Sequence, residues 1–296
     1  MMSILKILHL LLPPIFFKIW RKIFPRPLPS ITPLQKLQGH AKKMIVIGNG
    51  PSFKESLAKY GFVIKRYDRI AVNYFASTAA YLDIQPNYYA FADPMWFGGK
   101  QEFKDAVIDL LETMVKVTTW EMNVIMPDYA KGKEITNILS RNSNLKLHYY
   151  YSGELIDKKI SMFEALDKNF VGPPSGTVLN VCVWLSLYMG YEETYIIGAD
   201  TSFLADIQVD QETNELYTID QHFYENKDVY KKANMFGVNK RRKHSMTMSQ
   251  LLEDIGEMFR SYEILNKYAK WKQLCLYNAS EYSWVDSIER KNLKQC

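Results

Sequence analysis

The sequence predicts an α/β protein in which a mostly parallel β-sheet is flanked by helices. Over residues 43–200, short apolar runs of strand length alternate with segments of helical pattern. One run, residues 44–47, ends in a glycine turn that leads into a helical pattern, as in many nucleotide-binding sheets. With 296 residues, 47% of them hydrophobic and 23% charged, the chain is long enough for one large α/β domain.

The element candidates follow from these patterns in chain order. Strands are predicted at 44–47, 69–73, 88–92, 124–126, 195–197 and 274–278, and helices at 52–59, 99–115, 178–189 and 246–270. Ligands of such sheets bind at the carboxyl ends of the strands. The sequence therefore predicts a site formed by residues 48–52, Asn73, Asp93 and Asp200.

The first 29 residues differ from the rest in composition. Two apolar runs flank Pro13-Pro14, and the second carries Lys18, Arg21 and Lys22 without any acidic residue. This pattern predicts a helix that lies on the cytoplasmic face of the inner membrane through residues 1–24, followed by a Pro-rich linker to residue 29. The alternative is a helix that packs on the domain or on a partner. Residues 30–296 then form the α/β domain, with a lid at about 201–245.

The glycine turn consists of Gly48, Asn49, Gly50, Pro51 and Ser52. Glycine permits close approach and positive φ, and Ser52 is a good N-cap, so the turn suits a phosphate or nucleotide at a helix start. The alternative is a strand-to-helix turn without a ligand. The turn lacks the P-loop lysine and the third glycine of the dinucleotide fingerprint, which disfavours nucleoside triphosphatases and nicotinamide enzymes.

Charge and cysteine content narrow the function classes. A net charge of +5 suits an anionic ligand or membrane surface and is too small to indicate nucleic acid. The three cysteines have no metal-site or redox spacing, which indicates reduced thiols in the cytoplasm. No metal and no cofactor are expected. The sequence leaves the oligomeric state open.

Three blocks of sequence, in this order, resemble the bacterial sialyltransferases that decorate lipooligosaccharide. They are Ile47-Gly48-Asn49-Gly50-Pro51-Ser52, then Ser175-Gly176-Thr177 with Gly198-Ala199-Asp200 further on, and His244-Ser245 ahead of a helix. The resemblance covers about residues 43–280. It implies a modified Rossmann domain with a small lid, which takes a sugar acid from a CMP-activated donor with inversion and without a metal.

The resemblance also implies roles for individual residues. The nucleotide pocket would be lined by Gly48, Asn49, Gly50, Pro51 and Ser52, and Asn73 would contact the donor. The sugar acid and ribose of the donor would be held by Ser175, Gly176 and Thr177. Asp200 matches a family aspartate, and His244 matches the general base. The acceptor would be a glycan or a lipid-linked glycan in surface polysaccharide or lipooligosaccharide synthesis.

The chain departs from the family pattern in two places. Asp93 stands where the family has asparagine, and a carboxylate there would repel an acidic donor. Thr201-Ser202-Phe203 replaces the family's Phe-Tyr, so Tyr217, Tyr224 or the basic run that ends at Lys243 would steady the leaving phosphate. These departures leave sialic acid and Kdo equally open as the sugar.

Independently of this resemblance, glycosyl transfer requires a base that accepts the proton of the acceptor hydroxyl. Histidine suits this role because its side chain titrates near neutral pH. His244 follows four basic residues, which would keep it neutral; its alternative role is to cap the next helix. Two other functions remain open. One is a magnesium-dependent diphosphokinase of the pterin type with Asp93 and Asp200 as ligands, and the other is a non-catalytic glycan-binding or scaffold protein.

Overall fold

The computed structural model describes residues 41–98, 104–155, 159–219, 222–223, 230–232 and 246–295. The predicted membrane helix and linker therefore lie outside the described residues. No helix in the described part of the chain is both long enough and apolar enough to cross a membrane.

The described strands fall into two sheets. In chain order they are β1 (Lys43–Ile47), β2 (Asp68–Val72), β3 (Tyr88–Ala90), β4 (Met122–Pro127), β5 (Leu145–Tyr150), β6 (Glu193–Ile197), β7 (Gln208–Val209), β8 (Leu216–Ile219), β9 (Tyr230–Lys232) and β10 (Cys275–Asn278). The larger sheet has seven strands in the order β10-β6-β1-β2-β3-β4-β5, and every pair in it is parallel. This confirms the predicted fold class of a Rossmann-like sheet.

Helices cover both faces of this sheet. They are α1 (Phe53–Arg66), α2 (Ala79–Ile84), α3 (Lys104–Val117), α4 (Glu134–Leu139), α5 (Met162–Asp167), α6 (Val178–Met189) and α7 (Met248–Trp271). Side chains of α1 to α4 join one hydrophobic core, and side chains of α5, α6 and α7 join the other. The strand β1 divides its side chains between the two, with Met44 and Val46 on one side and Ile45 and Ile47 on the other.

Among the described helices, α6 is the most buried. Residues 179–188 are all buried, because α6 lies between the sheet and α7. A helix that is apolar on all sides is stable only in such a position. Its observed bounds are those predicted from the sequence. It begins at the carboxyl edge of the sheet because it leads back to the amino end of β6, which is parallel to the other strands.

The chain reverses its direction of travel across the sheet at β1. From β1 to β5 each connection uses the face of α1 to α4, whereas the connections to β6 and β10 use the opposite face. The turns that leave β1 and β6 therefore lead into connections on opposite faces of the sheet. This topological switch point is where ligands of doubly wound sheets bind.

The predicted lid region contains the smaller sheet. Its order is β7-β8-β9 with antiparallel pairs, and a 3-10 turn at Phe203–Asp206 precedes it. Residues 220–221, 224–229 and 233–245 lie outside the described part of the chain. The lid function stays a prediction.

Candidate functional site

Polar residues follow four neighbouring strands at the carboxyl edge of the sheet. Asp93 comes after β3, Asn73 after β2, Asn49 after β1 and Asp200 after β6. These strands are consecutive in the sheet, so the four positions extend over three strand spacings, or about 14 Å. The sequence prediction that they share one edge is confirmed.

The turns after β1 and β6 are bonded to each other. The amide of Gly48 donates to the Ile197 carbonyl at 2.8 Å, and the amide of Gly50 donates to the Gly198 carbonyl at 2.9 Å. A Cβ at Gly48 would stand 2.4 Å from the Gly198 oxygen, and a Cβ at Gly50 would stand 2.0 Å from an oxygen of Asp200. Gly198 itself has a φ of +64°. The close approach of the two turns therefore accounts for these glycines without a ligand.

Asp200 fills the anion position at the start of α1. Its Oδ1 accepts from the Ser52 amide at 3.1 Å, and its Oδ2 accepts from the Ser52 hydroxyl at 2.8 Å. The side chain of Ser52 therefore makes no capping bond of its own, contrary to the sequence expectation. Asp200 is 7% exposed, and burial raises the pKa of its carboxyl despite the bonds from Ser52.

Asn49 lies between the ends of β1 and β2. Its Nδ2 donates to the Val72 carbonyl at 3.3 Å, while its Oδ1 is buried and accepts no hydrogen bond among the described residues. Its own carbonyl accepts from the Phe223 amide at 2.8 Å, which brings the chain after β8 back to the glycine turn. Pro51 is exposed at the tip of this turn.

Asn73 and Asp93 are joined through Trp96. The indole N–H of Trp96 donates to Asn73 Oδ1 at 3.2 Å, and Asn73 has a φ of +48°. Asp93 Oδ1 accepts from the Met95 amide at 2.9 Å and so caps the 3-10 turn at Pro94–Phe97. Burial, with the Asp93 charge as a further cause, raises the pKa of the nearby Tyr74 hydroxyl.

The loop of residues 175–177 starts α6 at the same edge of the sheet. Thr177 forms a capping box with Asn180, in which the Asn180 amide donates to the Thr177 hydroxyl at 3.4 Å. Ser175 and Gly176 are exposed. A Cβ on Gly176 would stand 2.3 Å from the Cα of Met258, so α7 packs directly against this loop.

The loop 175–177 also neighbours the turn after β6. The buried hydroxyl of Tyr262 on α7 interacts with the side chains of Thr177 and Thr201, and burial raises the pKa of this hydroxyl. Thr201 follows Asp200 and has a φ of +53°. Three predicted groups of site residues, the glycine turn, Asp200 and the loop 175–177, are thereby linked to one another.

The predicted base and leaving-group residues are only partly described. His244, Tyr224 and Lys243 lie outside the described residues. Tyr217 lies on β8 of the smaller sheet, where its hydroxyl is 3.4 Å from a carboxylate oxygen of Glu215. None of these roles is tested by the structure.

Among the remaining histidines, His148 has a structural explanation. It lies half-buried on β5 with its Nε2 at 2.8 Å from Asn123 Oδ1, and burial lowers the pKa of its imidazole. It therefore stays neutral and pairs with a neighbouring strand.

Sequence reasoning missed the segment 279–285, which follows β10 and holds the turn after β6. The Ala199 amide donates to Ser280 Oγ at 3.0 Å, the Ser283 hydroxyl donates to the Ala199 carbonyl at 2.6 Å, and the Trp284 amide donates to the Asp200 carbonyl at 2.9 Å. The Ser52 hydroxyl lies 3.5 Å from the Tyr282 carbonyl. The only sequence signal was an Asn-Ala-Ser-Glu-Tyr-Ser-Trp run directly after a strand.

A cavity of about 390 Å³ lies between α1 and α2, next to the glycine turn, since Phe53 follows Ser52 and the Phe223 amide donates to the Asn49 carbonyl. Phe53, Lys54, Thr78 and Phe223 are among the residues that line it. Within the described ranges, no three histidine, cysteine, aspartate or glutamate side chains are grouped to hold a metal ion.

No protein-family model matches this chain, and no curated protein matches it. Among solved structures, the chain is similar to that of a MAf glycosyltransferase from Magnetospirillum magneticum AMB-1, with 14% sequence identity and a TM-score of 0.49. The match covers 90% of this chain and 36% of that one, so the chain spans about a third of that protein's length. A likeness of this degree does not identify an activity, because one architecture serves many functions.

Proposed function

We propose that this protein is a glycosyltransferase that takes a sugar acid from a CMP-activated donor and transfers it, with inversion, to a glycan or lipid-linked glycan at the inner membrane surface. The observation that carries the proposal is the switch point between β1 and β6, with polar residues at the ends of four neighbouring strands. Two of the three blocks that resemble sialyltransferases, residues 47–52 and residues 175–177 with 198–200, fall at this point in the fold, and the donor class is the one that this resemblance implies.

The two helix starts at this edge suggest where the donor's acid group binds. The start of α1 already holds the carboxylate of Asp200. At the start of α6, Ser175 and Gly176 are exposed to solvent. The Thr177 hydroxyl accepts a hydrogen bond there from one backbone amide, that of Asn180. Since unpaired amides and the helix dipole favour an anion, we assign the sugar carboxylate to the loop 175–177.

The neutral amides suit the remaining parts of the donor. Asn49 has a buried Oδ1 without a partner among the described residues, and such an atom gains a hydrogen bond when a ligand N–H or O–H reaches it. Asn73 lies on the next strand end and would contact the nucleotide beside it. His244 is proposed as the base that accepts the proton of the acceptor hydroxyl.

The magnesium-dependent diphosphokinase finds less support in the geometry. It would need Asp93 and Asp200 as metal ligands, yet both oxygens of Asp200 accept hydrogen bonds from Ser52. The measurement that separates the two functions is dependence on magnesium.

The test is CMP release by the purified full-length protein, with CMP-sialic acid and CMP-Kdo offered separately, with and without EDTA. We expect release from one donor that survives EDTA. Because a positioned general base contributes about 10²–10⁴-fold, His244→Ala should lower kcat by about 100-fold or more. The matched control is His148→Gln, which we expect to retain kcat within about twofold because His148 is a strand-pairing residue. Failure of the wild-type protein to release or bind CMP would refute the proposal.

A further inference from the structure

Two large aromatic side chains are exposed beside the switch point. Tyr282 is 52% exposed and Trp284 is 38% exposed, and the indole N–H of Trp284 donates to the Tyr282 hydroxyl at 2.6 Å. We call these two residues the aromatic pair. Large aromatic side chains carry most binding energy at recognition surfaces, so an exposed pair at this place calls for an explanation.

The segment 279–285, which carries the aromatic pair, is bonded both to α1 and to the turn after β6. Glu281 forms an ion pair with Lys59 of α1 at 2.7 Å, and Ser283 bonds to the Ala199 carbonyl. Glu281 and Ser283 are partly buried and hold the segment to the protein, whereas Tyr282 and Trp284 are exposed, so the aromatic pair points away from the protein. Two more hydrogen bonds complete this attachment: the Trp284 amide donates to the Asp200 carbonyl, and the Ala199 amide donates to the Ser280 side-chain oxygen.

The attachment makes the aromatic pair a preorganised surface. A ligand that stacks on it meets rings whose positions the segment and the Trp284–Tyr282 bond already restrict. Less conformational entropy is then lost on binding than with two mobile side chains. The segment is also bonded to the turn after β6, so the surface is placed relative to the other site residues.

The charges around the pair favour a neutral ring. Lys59 is engaged by Glu55 and Glu281, and the guanidinium of Arg290 donates to the Ser280 carbonyl. Asp286, directly after the segment, is exposed. Lys59 is neutralised by its two glutamate partners, and the exposed carboxylate of Asp286 would repel a phosphate, so a nucleotide is a poor occupant of the aromatic pair. A pyranose has an apolar face of C–H groups that stacks on an aromatic face, and it carries no charge.

We infer that the aromatic pair binds a neutral hexopyranose ring of the acceptor glycan. The inference rests on the proposed function, since it names the acceptor side of the same site. It assigns adjacent parts of one site to the two substrates: the loop 175–177 and the glycine turn to the charged donor, and the aromatic pair, which neighbours Ser52, to the neutral acceptor.

The experiment is saturation-transfer NMR on the full-length protein, with lactose as the neutral probe and CMP as the nucleotide probe. The variants are Tyr282→Ala and Trp284→Ala, with Trp271→Ala as the matched control because Trp271 is likewise exposed, at 46%, on α7. Removal of a stacked ring should weaken lactose binding by about tenfold while CMP binding stays within about twofold. Trp271→Ala should leave both unchanged. Circular dichroism confirms that each variant is folded.

The outcomes distinguish this inference from the proposed function. Lactose binding that is absent in the wild-type protein, or unchanged in both aromatic variants, overturns the inference while leaving CMP binding to support the transferase. Equal loss of lactose and CMP in the aromatic variants also overturns it, because the pair would then belong to the nucleotide site. Lactose binding without CMP binding in the wild-type protein supports the sugar surface and refutes the CMP-dependent function.

Discussion

The contact between the turns after β1 and β6 predicts that Gly50→Ala is strongly destabilising. The added Cβ would stand 2.0 Å from Asp200 Oδ2 and 2.6 Å from the Gly198 carbonyl oxygen. Neither atom is free to withdraw, because the carboxylate accepts from the Ser52 hydroxyl at 2.8 Å and the carbonyl accepts from the Gly50 amide at 2.9 Å.

The magnitude follows from two effects. Overpacking of a tight contact costs about 1–3 kcal/mol. Loss of a hydrogen bond to a charged acceptor costs about 1.5–3 kcal/mol more. We therefore expect the free energy of unfolding to fall by about 3–5 kcal/mol and Tm to fall by about 10 °C for a domain of this size.

Urea denaturation followed by circular dichroism measures the effect, with Gly256→Ala as the control. Gly256 lies within α7, and a Cβ added there would have no heavy atom within 4 Å. That substitution should stabilise the protein by about 0.5–1 kcal/mol, since alanine is the better helix residue. A loss below about 1 kcal/mol for Gly50→Ala would refute the account of the two turns.

Two further predictions concern the same edge of the sheet. The pKa of the Asp200 carboxyl is raised in the folded protein, so the folded state favours the protonated form. The resulting contribution to the free energy of unfolding is fully present below the pKa of the unfolded chain, about 3.9, and is lost as pH rises through the pKa of the folded protein. Asp200→Asn removes this pH dependence. In urea titrations the free energy of unfolding of the variant, taken relative to that of the wild-type protein, should therefore rise with pH. A relative fall with pH would contradict the raised pKa of Asp200. Thr177→Ala should cost about 1 kcal/mol through loss of the α6 cap, against less than about 0.5 kcal/mol for the exposed Thr113→Ala, by the same assay. Equal effects of the two threonine substitutions would argue against the capping box.

The sequence predicted best those elements whose pattern is continuous and long. The bounds of α6 agree with the prediction because an uninterrupted apolar run begins after a capping threonine and ends before Gly190. The six-residue helices α2, α4 and α5 escaped prediction, since six residues are too few to establish a 3.6-residue period. The strands β7, β8 and β9 were missed because two to four residues are too few to establish the alternation of a strand.

The site was predictable in position and less so in its internal contacts. Residues 48–52 and Asp200 were placed at one edge because strand ends are recognisable in sequence. Their mutual bond joins residues 148 positions apart, and no local pattern reveals it. This hydrogen bond alters the prediction that the glycine turn binds an anion at the start of α1, because the Ser52 amide there donates to the protein's own Asp200 carboxylate. The segment 279–285 was missed because its importance lies in bonds to a turn more than 80 positions away.

The charge of Asp93 constrains how the proposed donor would lie. Its hydrogen bond to the Met95 amide does not require the charge, because asparagine caps such a turn equally well. The charge of Asp93 matters instead for a ligand: a ligand carboxylate 4 Å from Asp93 would be repelled by about 4 kcal/mol at an effective dielectric constant of 20. At the three strand spacings that separate Asp93 from Asp200, about 14 Å, salt screens most of that repulsion. The proposed sugar acid would therefore bind only with its carboxylate directed away from the end of β3. In that orientation Asp93 would accept hydrogen bonds from the neutral hydroxyls of the sugar and would select the pose that places the acid on the loop 175–177.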